Sequence, residues 1–299
     1  MGRFAGLREG LLVAALLLSA GTAFAGPISP LYLSTGSNIY VRQGNAQIDT
    51  WATISPNEGA LAVNSTVRTY SQGFGSVLSP LSHEYTLDGT STGVVYENTV
   101  GCCFRDGTTD GKYNYAIRPY PGGLDDGLYQ FDLDWTNPQL MLFGPPYGAD
   151  TAVGSGIAYD VRTDSFWFVQ NRLVFDVSRT GGLLNYFWLP ADLGDDLFSL
   201  ALDPADYTLW ISRYAGGDNL LEQYSTEQYT LAEGLNPRTP LSSEQLDFFG
   251  VGAEFAFIAN GPVTQVPEPS SLLLLLIGLA GTAMQRRKYR RFPRAQILK

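Results

Sequence analysis

Histidine, cysteine and, away from the two ends, positive charge are what this chain has least of. One histidine, His83, serves all 299 residues. A single imidazole excludes a His-rich or paired-His zinc centre. A Ser-His-Asp triad would have to recruit His83, and no nucleophile elbow is expected to pair with it. In its setting, Pro-Leu-Ser-His-Glu-Tyr, the residue reads as a loop or strand-surface histidine. The sequence therefore assigns no metal, no cofactor and no catalytic residue.

The two cysteines, Cys102 and Cys103, adjoin and follow Gly101. Neighbouring Cα atoms stand about 3.8 Å apart, below the roughly 4.4–6.8 Å usual in disulfides, so a bond between them is strained. A vicinal disulfide, two free thiols and intermolecular pairing all stay open. Cationic side chains are scarce for a different reason: of 19 Lys and Arg, two lie near the start and seven after residue 285, leaving ten between Gly26 and Val266. That region keeps 27 of the 29 acids, a formal charge of −17. Such a body is repelled by nucleic acid and by anionic membrane surfaces, and no nucleic-acid partner is expected.

Long apolar runs occur only at the ends. Arg3 and Arg8 precede the run Leu11 to Leu18, and small residues at Ala23 and Ala25 precede Gly26. This order of charge, apolar run and small residues reads as a signal peptide over residues 1–25, cut by signal peptidase to leave Gly26 first. At the other end, Leu272 to Met284 carries no charge over 13 residues, about 20 Å as a helix against a hydrocarbon core of about 30 Å. Counting back to Pro267 gives 18 residues, a marginal transmembrane helix. Arg286, Arg287 and Lys288 follow and form a basic stop that holds the cytoplasmic side. Pro267 and Pro269, flanking Glu268, interrupt any helix and mark an extended segment just outside the membrane.

Val-Pro-Glu-Pro-Ser-Ser, then a Leu-rich run, then Arg-Arg-Lys, within Val266 to Arg290, resembles the PEP-CTERM sorting signal of Gram-negative bacteria that make extracellular polysaccharide. The resemblance implies recognition by an exosortase, an inner-membrane intermediate, and delivery to the cell surface or beyond. It describes an address for residues 263–299 and leaves the cargo, residues 26–262, to be read separately.

The cargo repeats. Gly156 to Val169 (GIAYDVRTDSFWFV) and Ser199 to Ser212 (SLALDPADYTLWIS) share Ala158 and Ala201, Asp160 and Asp203, Trp167 and Trp210, each pair offset by 43. Further strands are read at Asn171 to Val177, Asn219 to Ser225, Gly182 to Leu189 and Glu227 to Glu233, and fainter copies at Lys112 to Gly144, Gly59 to Ser71 and Leu31 to Trp51, bounded by Gly, Asn and Ser. No stretch from Gly26 to Val266 sustains a helical apolar period. The spacing predicts an all-β fold, a β-propeller of five to seven blades with six as the single value, an antiparallel β-sandwich being the alternative. The units resemble divergent YVTN and NHL propeller repeats. Asp160 and Asp203 read as turn residues, Trp167 and Trp210 as core. Phe104 to Asn114, with Asp106 and Asp110, and Gly122 to Tyr129 read as surface hairpin loops, with calcium as the rival use. Two function classes remain: a non-catalytic module binding extracellular polysaccharide or a surface protein, and a hydrolase or lyase acting on such a polymer.

Overall fold

The computed structural model describes residues 27–71, 81–97, 104–118, 127–143, 156–170, 172–190, 196–227 and 237–257. They belong to the first of two units, Met1–Ala259; the second, Asn260–Lys299, lies outside the described residues. Every regular element among them is a strand, and the strands form five four-stranded antiparallel sheets. Counting outward from the innermost strand, blade 1 is β20 (Gly252–Phe255), β1 (Leu31–Ser34), β2 (Asn38–Gln43) and β3 (Ala46–Ala52). Blade 2 is β4 (Glu58–Val63), β5 (Val67–Ser71), β6 (Leu81–Tyr85) and β7 (Ser91–Glu97). Blade 3 is β8 (Gly107–Thr109), β9 (Asn114–Arg118), β10 (Gly127–Phe131) and β11 (Gln139–Phe143). Blade 4 is β12 (Gly156–Asp160), β13 (Ser165–Gln170), β14 (Leu173–Ser178) and β15 (Leu183–Trp188). Blade 5 is β16 (Asp196–Leu202), β17 (Leu209–Ala215), β18 (Asp218–Tyr224) and β19 (Ser242–Leu246).

Innermost strands β4, β8, β12, β16 and β20 neighbour one another in that order and return to β4, a closed ring. The two ends of the domain close it: β20 pairs with β1 from Leu31↔Phe255 to Ser34↔Gly252. The fold is a five-bladed β-propeller, at the low end of the expected range. Six came from an offset of 43 that holds only between blades 4 and 5. The innermost strands begin at residues 58, 107, 156, 196 and 252, spacings of 49, 49, 40 and 56. The fourth strand of blade 5 is β19, from Ser242; the stretch from Glu227 to Glu233 expected to be a strand lies, beyond Glu227, outside the described residues.

Each blade buries both faces against its neighbours, so there are five cores at five seams. Trp167 pairs with Ala158 on β13 and β12, and Trp210 pairs with Ala201 on β17 and β16. The two tryptophans are thus equivalent and each fills the seam toward the next blade. The same register position holds Tyr115 opposite Thr108, Tyr32 opposite Glu254, and Arg68 opposite Ala62. In four of the five blades a small residue on the innermost strand, Ala158, Ala201, Ala62 or Thr108, leaves room for the large one beside it, blade 1 with Glu254 being the exception, and each such aromatic contributes about 2–3 kcal/mol of apolar burial.

Candidate functional site

A ring of five innermost strands turns five unpaired strand edges toward its axis. Buried there, such N–H groups need an acceptor. Asp106, one residue before β8 and fully buried, supplies it. Its Oδ1 accepts from the N–H of Gly107 and of Ala253, both at 3.0 Å, and its Oδ2 from Ile157 at 3.0 Å and Leu200 at 2.8 Å. One carboxyl group therefore ties β8, β12, β16 and β20 together. One level along, Thr108 Oγ1 accepts from the N–H of Tyr159 at 3.1 Å, and Glu254 Oε1 accepts from Phe255 at 3.1 Å. Glycine makes the narrow axis possible: a Cβ on Gly252 would stand 2.0 Å from the carbonyl oxygen of Gly59. Burial pushes the Asp106 carboxyl well above the usual range, with the four N–H groups opposing. Burial pushes Glu254 up too; the hydroxyl of Thr108 opposes and the Asp106 charge adds to the rise. Both oxygens of Asp106 are occupied by backbone, so it holds the ring and does not reach a substrate.

The expected turn aspartates form a second set. Asp110, Asp160 and Asp203 each stand two residues beyond the small-residue position, with Asn64 in the matching place of blade 2. Each accepts an N–H two residues on: Lys112, Arg162 and Ala205 at 2.9 Å, and Thr66 at 3.2 Å. In three of the four an arginine is added: Arg68 on Asn64 at 3.0 Å, Arg179 on Asp110 at 2.7 Å, Arg162 on Asp160 at 2.6 Å. Arg179 also binds Asp164 and the hydroxyl of Tyr115, joining blades 3 and 4. Against the upward push of burial, hydrogen bonds from Tyr115, Tyr113 and Arg179 hold the Asp110 carboxyl below its usual range. Asp106 and Asp110, for which calcium is the rival use, are thus separated, one at the axis and one under Arg179. The run between them is the innermost strand β8 and not a surface loop. Among the described residues no three His, Cys, Asp or Glu side chains converge on a metal position.

His83 is neither in a loop nor on a surface. It lies on β6 and is 4 % exposed. Its Nδ1 is 2.7 Å from Oε1 of the fully buried Glu58. The same carboxylate accepts from Ser55 N–H at 2.7 Å, the Thr69 hydroxyl at 2.6 Å and the Tyr85 hydroxyl at 3.0 Å. An isolated buried carboxylate is costly, and it needs partners such as these. A Gly-x-Ser-x-Gly pentad does occur, Gly89 to Gly93. It is the β6–β7 hairpin turn, Ser91 opens β7 opposite Tyr85, and no helix follows. A nucleophile elbow needs a strand-to-helix turn, so the pentad is not one.

Ala23, Ala25, Gly26, Cys102, Cys103, Pro267, Glu268, Pro269, Arg286, Arg287 and Lys288 lie outside the described residues, as do the expected signal segment and the expected transmembrane segment. Among the described residues no helix is long and apolar enough to cross a membrane.

Residues 265–288 match the family model described as the PEP-CTERM protein-sorting motif. That motif implies an exported chain sorted by an exosortase. No curated protein matches the chain. Among solved structures, the nidogen/laminin complex is similar at 13 % identity over 77 % of this chain and 98 % of that one, TM-score 0.46. Glutaminyl cyclase of Myxococcus xanthus is similar at 9 % identity over 61 % and 80 %, TM-score 0.46. Hydrazine synthase of Kuenenia stuttgartiensis is similar at 13 % identity over 77 % and 70 %, TM-score 0.41.

Proposed function

We propose that the five-bladed propeller is a non-catalytic binding or structural module displayed at the cell surface or in an extracellular polysaccharide matrix. The single observation that carries this reading is the sorting motif at residues 265–288 attached to a propeller of its own. Signal peptidase acts at Ala25-Gly26, the apolar run Leu272 to Met284 holds the chain in the inner membrane, and an exosortase takes the extended Pro267-Glu268-Pro269 strip at its outer face. Arg286, Arg287 and Lys288 prevent complete passage. The burial of Asp106 and Glu254 at the axis supports a module over an enzyme, because propeller catalysis needs convergent polar groups open to substrate.

Two experiments test the two halves. Replacing Pro267, Glu268 and Pro269 with alanine leaves the apolar run intact and is expected to trap full-length protein at the inner membrane, read by fractionation with an antibody to the propeller. If that variant reached the surface as efficiently as the native chain, the tail would be a plain anchor. For the module, a glycan array probed with residues 26–266 is expected to show binding with no shortened product. Cleavage of a bound polymer would replace the module by an enzyme.

A further inference from the structure

Four innermost strands carry Ala62, Thr108, Ala158 and Ala201 at one register position, and the fifth, β20, carries an acid there, Glu254. It is 6 % exposed. Its Oε1 accepts from Phe255 N–H at 3.1 Å, while its Oε2 is buried and has no partner among the described residues. Asp106 makes the contrast. Four N–H groups converge on its two oxygens, so the ionised form is satisfied there. A second negative charge beside it, with one oxygen unbonded, is what a buried site disfavours. The groups facing Glu254 supply no cation to offset it: β1 places Tyr32 opposite, and β8 brings Thr108 and, one residue before the strand, Asp106. On the other strands packed against β20, the acids are committed elsewhere. Glu58 of β4 takes Ser55, Thr69, His83 and Tyr85, Asp160 of β12 takes Arg162, and the hydroxyl of Tyr159 bonds Asp164. Asp203, just beyond β16, clamps the N–H groups of Ile28 and Ser29 at 2.9 and 3.2 Å. Of the two axial acids, Glu254 is therefore the one that holds a proton.

The place of that proton in the fold gives it a consequence. β20 is four residues long, and its pairing with β1 joins the two ends of the domain. On its axial edge Ala253 N–H reaches Asp106 and Phe255 N–H reaches Glu254 itself. We propose that Glu254 is a proton-gated latch: β20 seats with this carboxyl group neutral, and loss of the proton to solvent loosens β20, and with it the closure of the ring, ahead of the other four innermost strands. Burial and the Asp106 charge both push the carboxyl above its usual range, against the opposing Thr108 hydroxyl. In the unfolded chain the group releases its proton near pH 4.3. The stability that this group contributes is therefore complete below about pH 4 and is lost as pH rises through the folded value.

The ring is closed within residues 31–255, so residues 26–266 contain the complete fold. In that protein Glu254→Gln, which keeps an acceptor for Phe255 N–H and cannot ionise, is compared with the native chain by denaturant unfolding across pH. The ratio of their folding equilibrium constants, variant over native, is expected to climb about tenfold per pH unit above about pH 5 for as long as Glu254 keeps its proton. A ratio that does not move with pH means that Glu254 is ionised in the fold, and the latch is wrong. Amide exchange, corrected for its own dependence on pH, locates the effect. Raising the pH is expected to cost Ala253 and Phe255 protection in the native chain and not in the variant, while Ile157 and Leu200, bonded to the same Asp106, hold theirs. Parallel loss at all four amides would couple the proton to the whole ring and overturn the latch. Should Glu254→Gln not fold, Glu254→Ala puts there the residue that blades 2, 4 and 5 carry, and the infrared C=O band of protonated carboxyl groups decides near pH 7. That band is expected to weaken by one group in the variant; a band left unchanged would assign the proton to another acid and remove the proposal.

Discussion

Blades 4 and 5 and blade 2 build the same four-stranded sheet from different chemistry. Blades 4 and 5 repeat a small residue, a turn aspartate and a tryptophan, and bury Trp167 and Trp210 in apolar seams. Blade 2 keeps the small residue, Ala62, and puts Asn64 and Arg68 at the other two places. Its face toward blade 3 carries Arg68, which bonds Glu84 at 2.8 Å, and Glu84 accepts from Tyr96 at 2.9 Å. Its face toward blade 1 carries the Glu58, Thr69, His83 and Tyr85 network. The difference teaches that propeller geometry demands filled seams and bonded edges, and that either apolar bulk or a satisfied polar network meets the demand. The two solutions fail differently. An apolar seam loses area when truncated, whereas a polar network leaves several donors stranded.

The sharpest way to break that comparison is to remove the centre of each. Glu58→Leu takes the acceptor from Ser55 N–H, His83 Nδ1 and the Tyr85 hydroxyl, while the Thr69 hydroxyl keeps the His83 carbonyl at 3.1 Å, at about 1–3 kcal/mol per orphaned group. A loss of at least about 3 kcal/mol is expected in denaturant unfolding of residues 26–266. Trp210→Ala, 1 % exposed, should lose about 3–5 kcal/mol through its cavity. Glu58→Gln, which keeps an acceptor for some of these donors, should lose less than either. If Glu58→Leu were no worse than Glu58→Gln, the blade 2 network would be incidental to its stability.

The same contrast explains what the sequence revealed. Apolar seams leave a periodic mark, so the all-β fold, the Ala158 and Ala201 pair, the two tryptophans and the turn aspartates could be read from spacing. Polar solutions leave no such mark. His83 and Glu58 are 25 residues apart on β6 and β4, and nothing local distinguishes them from surface residues. Asp106 was hidden because β8 is only three residues long, shorter than any periodicity test can detect. A signal was there to use. Aligning Asp110 with Asp160 and Asp203 puts Asp106 where blades 4 and 5 have Gly156 and Ser199, and an acid among small residues at an innermost strand marks the axis. The Asp203 clamp on Ile28 and Ser29 spans 174 to 175 residues, a ring closure that spacing alone does not encode.

The smallest effect sharpens the likeness of blades 4 and 5. Opposite Trp167 on β14 lies Asp176, and opposite Trp210 on β18 lies Gln223, so one of two matching blades buries an acid where the other has an amide. Asp176 is 4 % exposed. Burial pushes its carboxyl up to about 6, with Asp160 adding to the rise and Ser165 and Arg162 opposing. In the unfolded chain the same group titrates near 3.9. Between these values the folded protein holds a proton that the unfolded chain has released, so stability is highest below about pH 4 for this group and falls as pH rises to about 6. Other carboxylates titrate in that window, and the comparison with Asp176→Asn isolates this one. The variant should be more stable than the native protein by about 1–2 kcal/mol at pH 7 and should lose that advantage on going to pH 4. Denaturant midpoints for both proteins at the two pH values read the difference directly. An advantage that stayed constant with pH would mean that Asp176 is ionised throughout and that the two blades differ only in shape at this position.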